Sequence, residues 1–268
     1  MSNYSKQMYI LPGKHLDTVI LIIFFLLIGI ETPTIQHSVA QTSTSISGVI
    51  IPLYSYPGAT WTKVASSKDA HPNVPIFTII NPNSGPGYSK DTNYVNGINY
   101  LRSHHVSVIG YVYTSYASRP LQNVEKDINA YFAWYPNLNG IMFDEMSNVA
   151  GHENYYWTLT NYVISLRGGY AFTVGNPGAD TLPSYVGTVN AILIYERQGY
   201  PSLNFLDGWH SQYSKYKWGM TSYGTSLSDS FVSSAKRYTG FIYITNDVLP
   251  NPYDTLPSYF DRLIQDLD

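Results

Sequence analysis

Beyond residue 47 the chain alternates between two kinds of segment. Short runs of aliphatic, β-branched and aromatic residues recur at Gly48–Tyr54 (GVIIPLY), Ile76–Asn81 (IFTIIN), Val106–Tyr113 (VSVIGYVY), Gly140–Asp144 (GIMFD), Ala171–Asn176 (AFTVGN), Ala191–Glu196 (AILIYE), Lys217–Thr221 (KWGMT) and Phe241–Thr245 (FIYIT). Most are apolar almost throughout rather than alternating, which marks strands buried on both faces of a parallel sheet. Their starts lie roughly 20–35 residues apart, the length of a strand–helix unit.

Between these runs, apolar positions recur at helical spacing. Leu256, Tyr259, Phe260, Leu263, Ile264 and Leu267 fall on one stripe, with Asp254 or Thr255 as a cap and Pro257 in the first turn. Residues 123–135 repeat the pattern with Val124, Ile128, Tyr131, Phe132 and Tyr135 behind Asn123. Residues 153–166 do so with Tyr156, Leu159, Val163 and Leu166, stopped by Gly168-Gly169, and 91–104 carries a weaker version. The segments after the first, fifth and sixth strands carry poorer helical signals. Eight strands with about eight connections predict an α/β fold, a (β/α)₈ TIM barrel forming a single domain over residues 48–268. The rival is an open doubly wound sheet. That fold would place a glycine-rich phosphate turn after its first strand, where this chain has SYPGAT.

The first forty residues have a different pattern. Lys6, Lys14 and His15 precede the apolar run Val19–Ile30. Twelve helical residues span ~18 Å, short of the ~30 Å hydrocarbon core. Residues 1–40 are therefore expected to be a signal peptide, with Ser38-Val39-Ala40 as the cleavage site, or else an uncleaved N-terminal anchor. Residues 41–47 (QTSTSIS) read as a linker. Either way the barrel is expected outside the cell or at its surface, with membrane contact only through that first segment.

Composition narrows the function. Charged residues make up 12% of the 268, about half of the ~25% usual for soluble domains, while tyrosine alone accounts for 26. With a formal net charge of −3 the chain has no basic field for nucleic acid. Its polarity comes from Ser, Thr, Asn and Tyr, which suits a neutral, hydroxyl-rich partner. The absence of cysteine excludes disulfides, thiolate-bound zinc and thiol nucleophiles. The seven histidines show no HExxH or HxxxH spacing and no G-x-S-x-G elbow occurs, so neither a metal nor another cofactor is expected. NPNSGPG at 81–87 is no phosphate loop, because Pro82 and Pro86 lack N–H groups and no Lys-Ser/Thr follows. It reads as a rigid turn as readily as a substrate-contacting loop.

In such a barrel the active site is built at the C-terminal ends of the strands. Those ends carry Tyr54 and Tyr56, Asn81, Tyr113 and Tyr116, Asp144-Glu145, Asn176, Glu196, Thr221-Ser222-Tyr223 and Asn246-Asp247. Paired carboxylates are what glycoside hydrolysis needs: one protonates the leaving oxygen, and the other acts as base or nucleophile. Asp144, Glu145 and Glu196 are the candidate catalytic acids. Tyr54, Asn81, Tyr113, Tyr116, Asn176 and Asn246 are the candidate sugar-binding residues. Alternation in GIMFDE puts Met142 and Asp144 on one face, and Ile141, Phe143 and Glu145 on the other. Only one acid then continues the inward row, unless the strand ends in a bulge. Asn246-Asp247 also reads as an ordinary turn.

The runs GVIIPLYSYPG, IINPNSGPG, VIGYVYTSY, GIMFDE, NPG and IYE, in this order, resemble the spherulin-4-like, or spherulation-specific family 4, proteins over roughly residues 48–246. The relatives include fungal and bacterial glycoside hydrolases that degrade galactosamine-containing exopolysaccharide, and members known only as developmental or coat proteins. The resemblance implies a (β/α)₈ barrel with catalytic acids at Asp144-Glu145 and Glu196. Taken with the residue pattern it points to a hydrolase, endo-acting on an amino-sugar polysaccharide, with Asp144 and Glu196 as the working pair and Glu145 tuning a pKa or holding a substituent. The alternative is a carbohydrate-binding or coat protein that kept the barrel without catalysis.

Overall fold

The structure, a computed structural model, describes residues 46–268; the predicted signal or anchor segment lies outside the described residues. Eight strands pair in parallel in chain order: β1 (Val49–Pro52), β2 (Ile76–Ile80), β3 (Ser107–Tyr113), β4 (Gly140–Asp144), β5 (Phe172–Asn176), β6 (Ala191–Gln198), β7 (Trp218–Tyr223) and β8 (Phe241–Ile244). A bridge between Gly48 and Phe241 brings the last strand back to the first. There the Gly48 N–H donates to the Gly240 carbonyl at 2.7 Å, and the Gly48 carbonyl accepts from the Ile242 N–H at 3.0 Å. Every predicted strand is present, and β6 runs two residues past its predicted end at Glu196.

The helices are α1 (Ala59–Ala70), α2 (Thr92–Ser103), α3 (Leu121–Trp134), α4 (Glu153–Arg167), α5 (Leu203–Asp207), α6 (Asp229–Ala235) and α7 (Phe260–Leu267). The stripes read from sequence on α3 and α4 are buried at Val124, Ile128 and Tyr131 and at Tyr156, Leu159 and Val163, while Leu166, read as part of the second, is exposed at the end of α4; on α2 the buried residues are Tyr94, Ile98 and Leu101. Asp91 caps α2 by accepting from the Asn93 N–H at 2.8 Å. α3 starts behind Pro120 rather than Asn123, and α7 starts only at Phe260, after a run of turns. The connection after β1 departs most from expectation, since a full helix, α1, forms where the signal was poor. Its buried side mixes Trp61, Val64 and Ala65 with Ser67 and Lys68, so the stripe is hidden by polar letters. Their polar ends are nonetheless satisfied. Lys68 Nζ donates to the carbonyls of Pro72 at 2.7 Å and Val74 at 2.8 Å, and Ser67 bonds Asp261. After β5 there is only the 3₁₀ turn Pro183–Tyr185, and after β6 the short α5 with further turns, in line with weak helical patterns.

Side-chain alternation splits the core into two clusters. Outward residues such as Ile51, Val112, Phe143 and Ile242 pack under the helices. Inward residues fill the barrel in layers. At the N-terminal ends of the strands Phe77, Phe172 and Phe241 form a plug, with ring centroids 4.4, 5.7 and 5.9 Å apart. Above it lie Ile50, Ile79, Ile109, Met142, Val174 and Leu193, and then Tyr54 and Tyr111. The inside thus grades from apolar at one end to hydroxyl-bearing at the other. Ile46 and Ser47, read from sequence as the end of the linker, are already fastened at the plugged end. The Ile46 carbonyl accepts from Lys215 Nζ at 3.0 Å, and Ser47 Oγ donates to the Thr239 carbonyl at 3.1 Å.

β4 passes its neighbour with no room to spare. A Cβ on Gly140 would sit 1.8 Å from the Phe172 carbonyl oxygen, backbone that cannot yield without opening the sheet. Gly140→Ala is expected to cost about 3 kcal/mol or more of unfolding free energy. Gly169→Ala, in open space, should change little. Urea unfolding midpoints of the two variants check this, and equal midpoints would contradict the packing described.

Candidate active site

Glu196 reaches the barrel interior because β6 carries one extra residue. Leu193 pairs with Gly219 and Tyr195 with Met220, so Ile194 is left over. Ile194 and Tyr195 both turn outward onto the helix-side core, as Met220 does. Plain alternation from Ala191 and Leu193, both inward, would have aimed Tyr195 inward and Glu196 out. The bulge reverses the phase and turns Glu196 in; re-aiming a side chain is a common use of bulges near active sites. β4 and β5 need no such device. Met142 faces in, Asp144 follows it on the same face, and Asn176 is the register partner of Asp144.

These three side chains meet. Asn176 Nδ2 donates to Asp144 Oδ1 at 2.9 Å and to Glu196 Oε2 at 2.5 Å, so one buried amide stands between two carboxylates. The remaining oxygens are held by phenols. Tyr111 donates to Asp144 Oδ2 at 2.7 Å and Tyr253 to Glu196 Oε1 at 2.5 Å. Asn176 is oriented in turn by its Oδ1, which accepts from the Gly178 N–H at 3.0 Å. Tyr54 stands edge-on to both phenols, 6.0 Å from Tyr111 and 5.8 Å from Tyr253. Burial raises the Asp144 pKa above its ordinary value of 3.8, and the nearby Glu196 charge adds to this; the bonds from Tyr111 and Asn176 pull partly the other way. Burial, followed by the neighbouring carboxylates, pushes Tyr111, Tyr253 and Tyr54 far up, so all three stay neutral donors at physiological pH.

Glu145 leaves the strand. Its φ of 50° is left-handed, and the strand is over once Asp144 has turned in. Ser115, Tyr116 and Ala117 in the neighbouring loop are left-handed too. Each such residue costs roughly 1–2 kcal/mol, so the turn needs holding. Thr114 Oγ1 lies 2.9 Å from the Asp144 carbonyl and 2.8 Å from that of Glu145, and the Tyr116 N–H donates to the latter at 2.7 Å. Tyr156 Oη stands 3.0 Å from Thr114 Oγ1 and accepts from the Ser147 N–H at 2.6 Å. With the threonine proton committed to the carbonyls, the tyrosine donates to Thr114, and both side chains are fully buried.

The other sequence candidates lie around this centre. Tyr113 is the register partner of Asp144, with its ring under the Arg119 guanidinium at 4.1 Å. Asn81 holds its own loop, since its Oδ1 accepts from the Gly85 N–H at 2.9 Å. The side chains of Tyr116, 60% exposed, and of Asn246 reach solvent, although the Tyr116 backbone borders Glu145. Asp247 behaves as a turn residue, accepting from the Val248 N–H and the Thr255 hydroxyl, each at 2.9 Å. Sequence reading missed Tyr111 and Tyr253. Tyr111 shares strand parity with Tyr113 and could have been read; Tyr253 comes from the long connection after β8, where no periodicity points to it. Beside Glu196 a cleft of about 350 Å³ opens between Tyr54, Tyr223, Leu249, Asn251 and Tyr253.

The model of spherulation-specific family 4 matches residues 48–267. The chain belongs to that family. The family member Spherulin-4 of Physarum polycephalum is 34% identical over 253 residues, spanning 89% of this chain and 75% of that protein. Sph3 of Aspergillus clavatus, solved in complex with GalNAc, is 26% identical with a TM-score of 0.75, over 83% of this chain and 98% of that one. The spore cortex-lytic enzyme SleL of Bacillus cereus is 14% identical with a TM-score of 0.52, over 82% and 74%, and shares the fold alone.

Two expectations follow from this geometry. Native Asp144 binds its proton more tightly than the unfolded chain does, so it withdraws stability as pH rises through and beyond the ordinary carboxylate range. Asp144→Asn should therefore melt above the parent at pH 7, and the gap should close near pH 4; a gap independent of pH would refute the shift. Tyr156→Phe strands the Ser147 N–H and should cost about 1–3 kcal/mol in chemical unfolding, whereas a loss below ~0.5 kcal/mol would mean the clamp holds nothing.

Proposed function

We propose that this chain is a glycoside hydrolase that cuts within an amino-sugar-containing, galactosamine-type polysaccharide, using Asp144 and Glu196. One observation carries the reading: the Asn176 amide that both carboxylates share. The facing oxygens can be no further apart than two bonds of 2.9 and 2.5 Å laid end to end. In retaining enzymes the two carboxyl groups stand about 5–5.5 Å apart, so that one attacks the anomeric carbon and the other protonates the leaving oxygen. The wider class, about 6.5–9.5 Å, leaves room for a water between acid and sugar. Contact through one shared amide favours the nearer arrangement, a retaining reaction through a covalent glycosyl intermediate, which water then releases with the acid acting as base. Asn176 spans the inner oxygens and Tyr111 and Tyr253 hold the outer ones, so the substrate meets the further lone pairs of oxygens already fixed in place. Glu145, turned off the strand end, adds negative charge beside the pair, and its field reaches Tyr111.

Support for the sugar class comes from the GalNAc bound in Sph3, at 26% identity across nearly the whole barrel. The exposed Tyr56 and Tyr116 on the rim are suited to packing on pyranose faces. A location outside the cell rests on the N-terminal apolar segment Val19–Ile30.

Asp144→Asn and Glu196→Gln copy the shape of each acid but can neither attack nor deliver a proton. Each should lower the rate of reducing-end formation on galactosamine-containing polysaccharide by about 10²–10⁴-fold while polymer binding persists. Proton NMR of the first-formed anomer should show retention. Full activity in both variants would place the chemistry elsewhere. Binding by the parent chain without new reducing ends would make the barrel a carbohydrate-binding protein.

A further inference from the structure

A second cavity, of about 460 Å³, opens on the flank of the barrel between the β2–α2 loop and α3. Tyr113, whose backbone is the register partner of Asp144 on the next strand, lines its near end. From there it runs down α3, where Lys126, Ala130 and Trp134 line it at successive four-residue steps. Residues four apart share a helix face, and eight residues rise about 12 Å, so the floor is a stripe rather than a spot. The opposite wall is the loop from Asn83 to Tyr88, and the Tyr88 ring is 93% exposed. The volume lies within the roughly 300–1,000 Å³ typical of ligand sites.

Both walls are fixed in advance. Gly85 is tied by Asn81 Oδ1 at 2.9 Å, and its own carbonyl accepts from the Asn83 N–H at 3.2 Å. Ser84, Gly85 and Gly87 hold left-handed backbone within that turn. Arg119 donates to the Tyr113 carbonyl at 3.1 Å, the Asn123 carbonyl at 3.3 Å and Asp127 at 2.7 Å. The groove therefore combines aromatic faces with a paired, rigid line of donors and acceptors. A chain of sugar rings has the matching surface, with apolar C–H faces and hydroxyl edges that bond a satisfied ion pair without stranding a charge.

We propose that this groove is a distal subsite, holding the sugar units on one side of the bond placed at Asp144 and Glu196. It gives the NPNSGPG loop a role: a stiff wall for polysaccharide. The proposal rests on the hydrolase reading for its ligand, and its test separates the two. Tyr88→Ala removes an exposed ring that stabilises nothing else, and Ala130→Trp fills the floor. Reducing-end release would be measured for the parent and both variants on galactosamine-containing exopolysaccharide and on its short oligosaccharides. The polymer-to-oligosaccharide ratio of kcat/KM should fall about tenfold in each variant, the scale of one lost aromatic contact. An unchanged ratio in both would overturn the proposal, as would equal losses on both substrates. In parallel, retention of the Asp144→Asn protein on immobilised exopolysaccharide would be compared with and without Tyr88→Ala. If the parent cuts nothing, the hydrolase reading fails and this arm decides alone: weaker retention supports the groove, and equal retention overturns it.

Discussion

Two carboxylates held by a single amide repel each other, and the mouth of the barrel is arranged around that repulsion. Unit charges about 5 Å apart in a medium of effective dielectric near 20 oppose each other by roughly 3 kcal/mol. Asn176 and the two phenols answer with four charge-directed hydrogen bonds, each worth about 1.5–3 kcal/mol. The arrangement works only if all of these groups arrive together. Asp144 and Asn176 come from adjacent strands in register, Glu196 from a bulged strand, and Tyr253 from the connection that follows the last strand. The site is therefore assembled from the whole ring, and a slip of any one strand would leave buried charge without a partner.

The interior below explains how such a cluster is tolerated. Three phenylalanines and a layer of aliphatic side chains fill the barrel, so water reaches the acids only from the mouth. That enclosure is what raises the Asp144 pKa. It also strengthens every bond made to the carboxylates. The backbone at Asp144-Glu145 carries its own cost in left-handed residues, and Thr114 and Tyr156 hold it from the outer side of the sheet. Tyr156 lies on the apolar stripe of α4, so a helix residue read from sequence as packing also braces the acids.

The layout of the barrel was legible because a parallel sheet buried on both faces writes itself as apolar runs at regular intervals, and helices packed outside write a stripe. α1 escaped because its inner face includes a serine and a lysine whose polar ends find partners deep in the fold. The site was legible where it follows strand ends: Asp144, Asn176 and Tyr54 lie where alternation sends them. Glu196 was read as the end of β6, which runs two residues further, and its direction depends on Ile194 being surplus, which is fixed only by pairing with β7. Tyr253 was out of reach because it arrives through a loop, and loops carry no period. Asn81 and Asn246 share the strand-end positions of Asp144 and Asn176, yet one is spent on its own turn and the other stands in solvent, differences that composition and spacing do not encode.

The Ser47 N–H donates to the Leu267 carbonyl at 3.1 Å, so the beginning and end of the described chain touch at the plugged face. A closed ring of strands has no intrinsic first member. The acids see only which strands are neighbours, and that relation survives if the ends are spliced and the chain is opened elsewhere. Gly168-Gly169, with open space around both, lies at the same face between α4 and β5. The barrel is in this sense a circular object written on a linear gene, and the meeting of Asp144, Asn176 and Glu196 belongs to the cyclic order of its strands rather than to the order in which they are made.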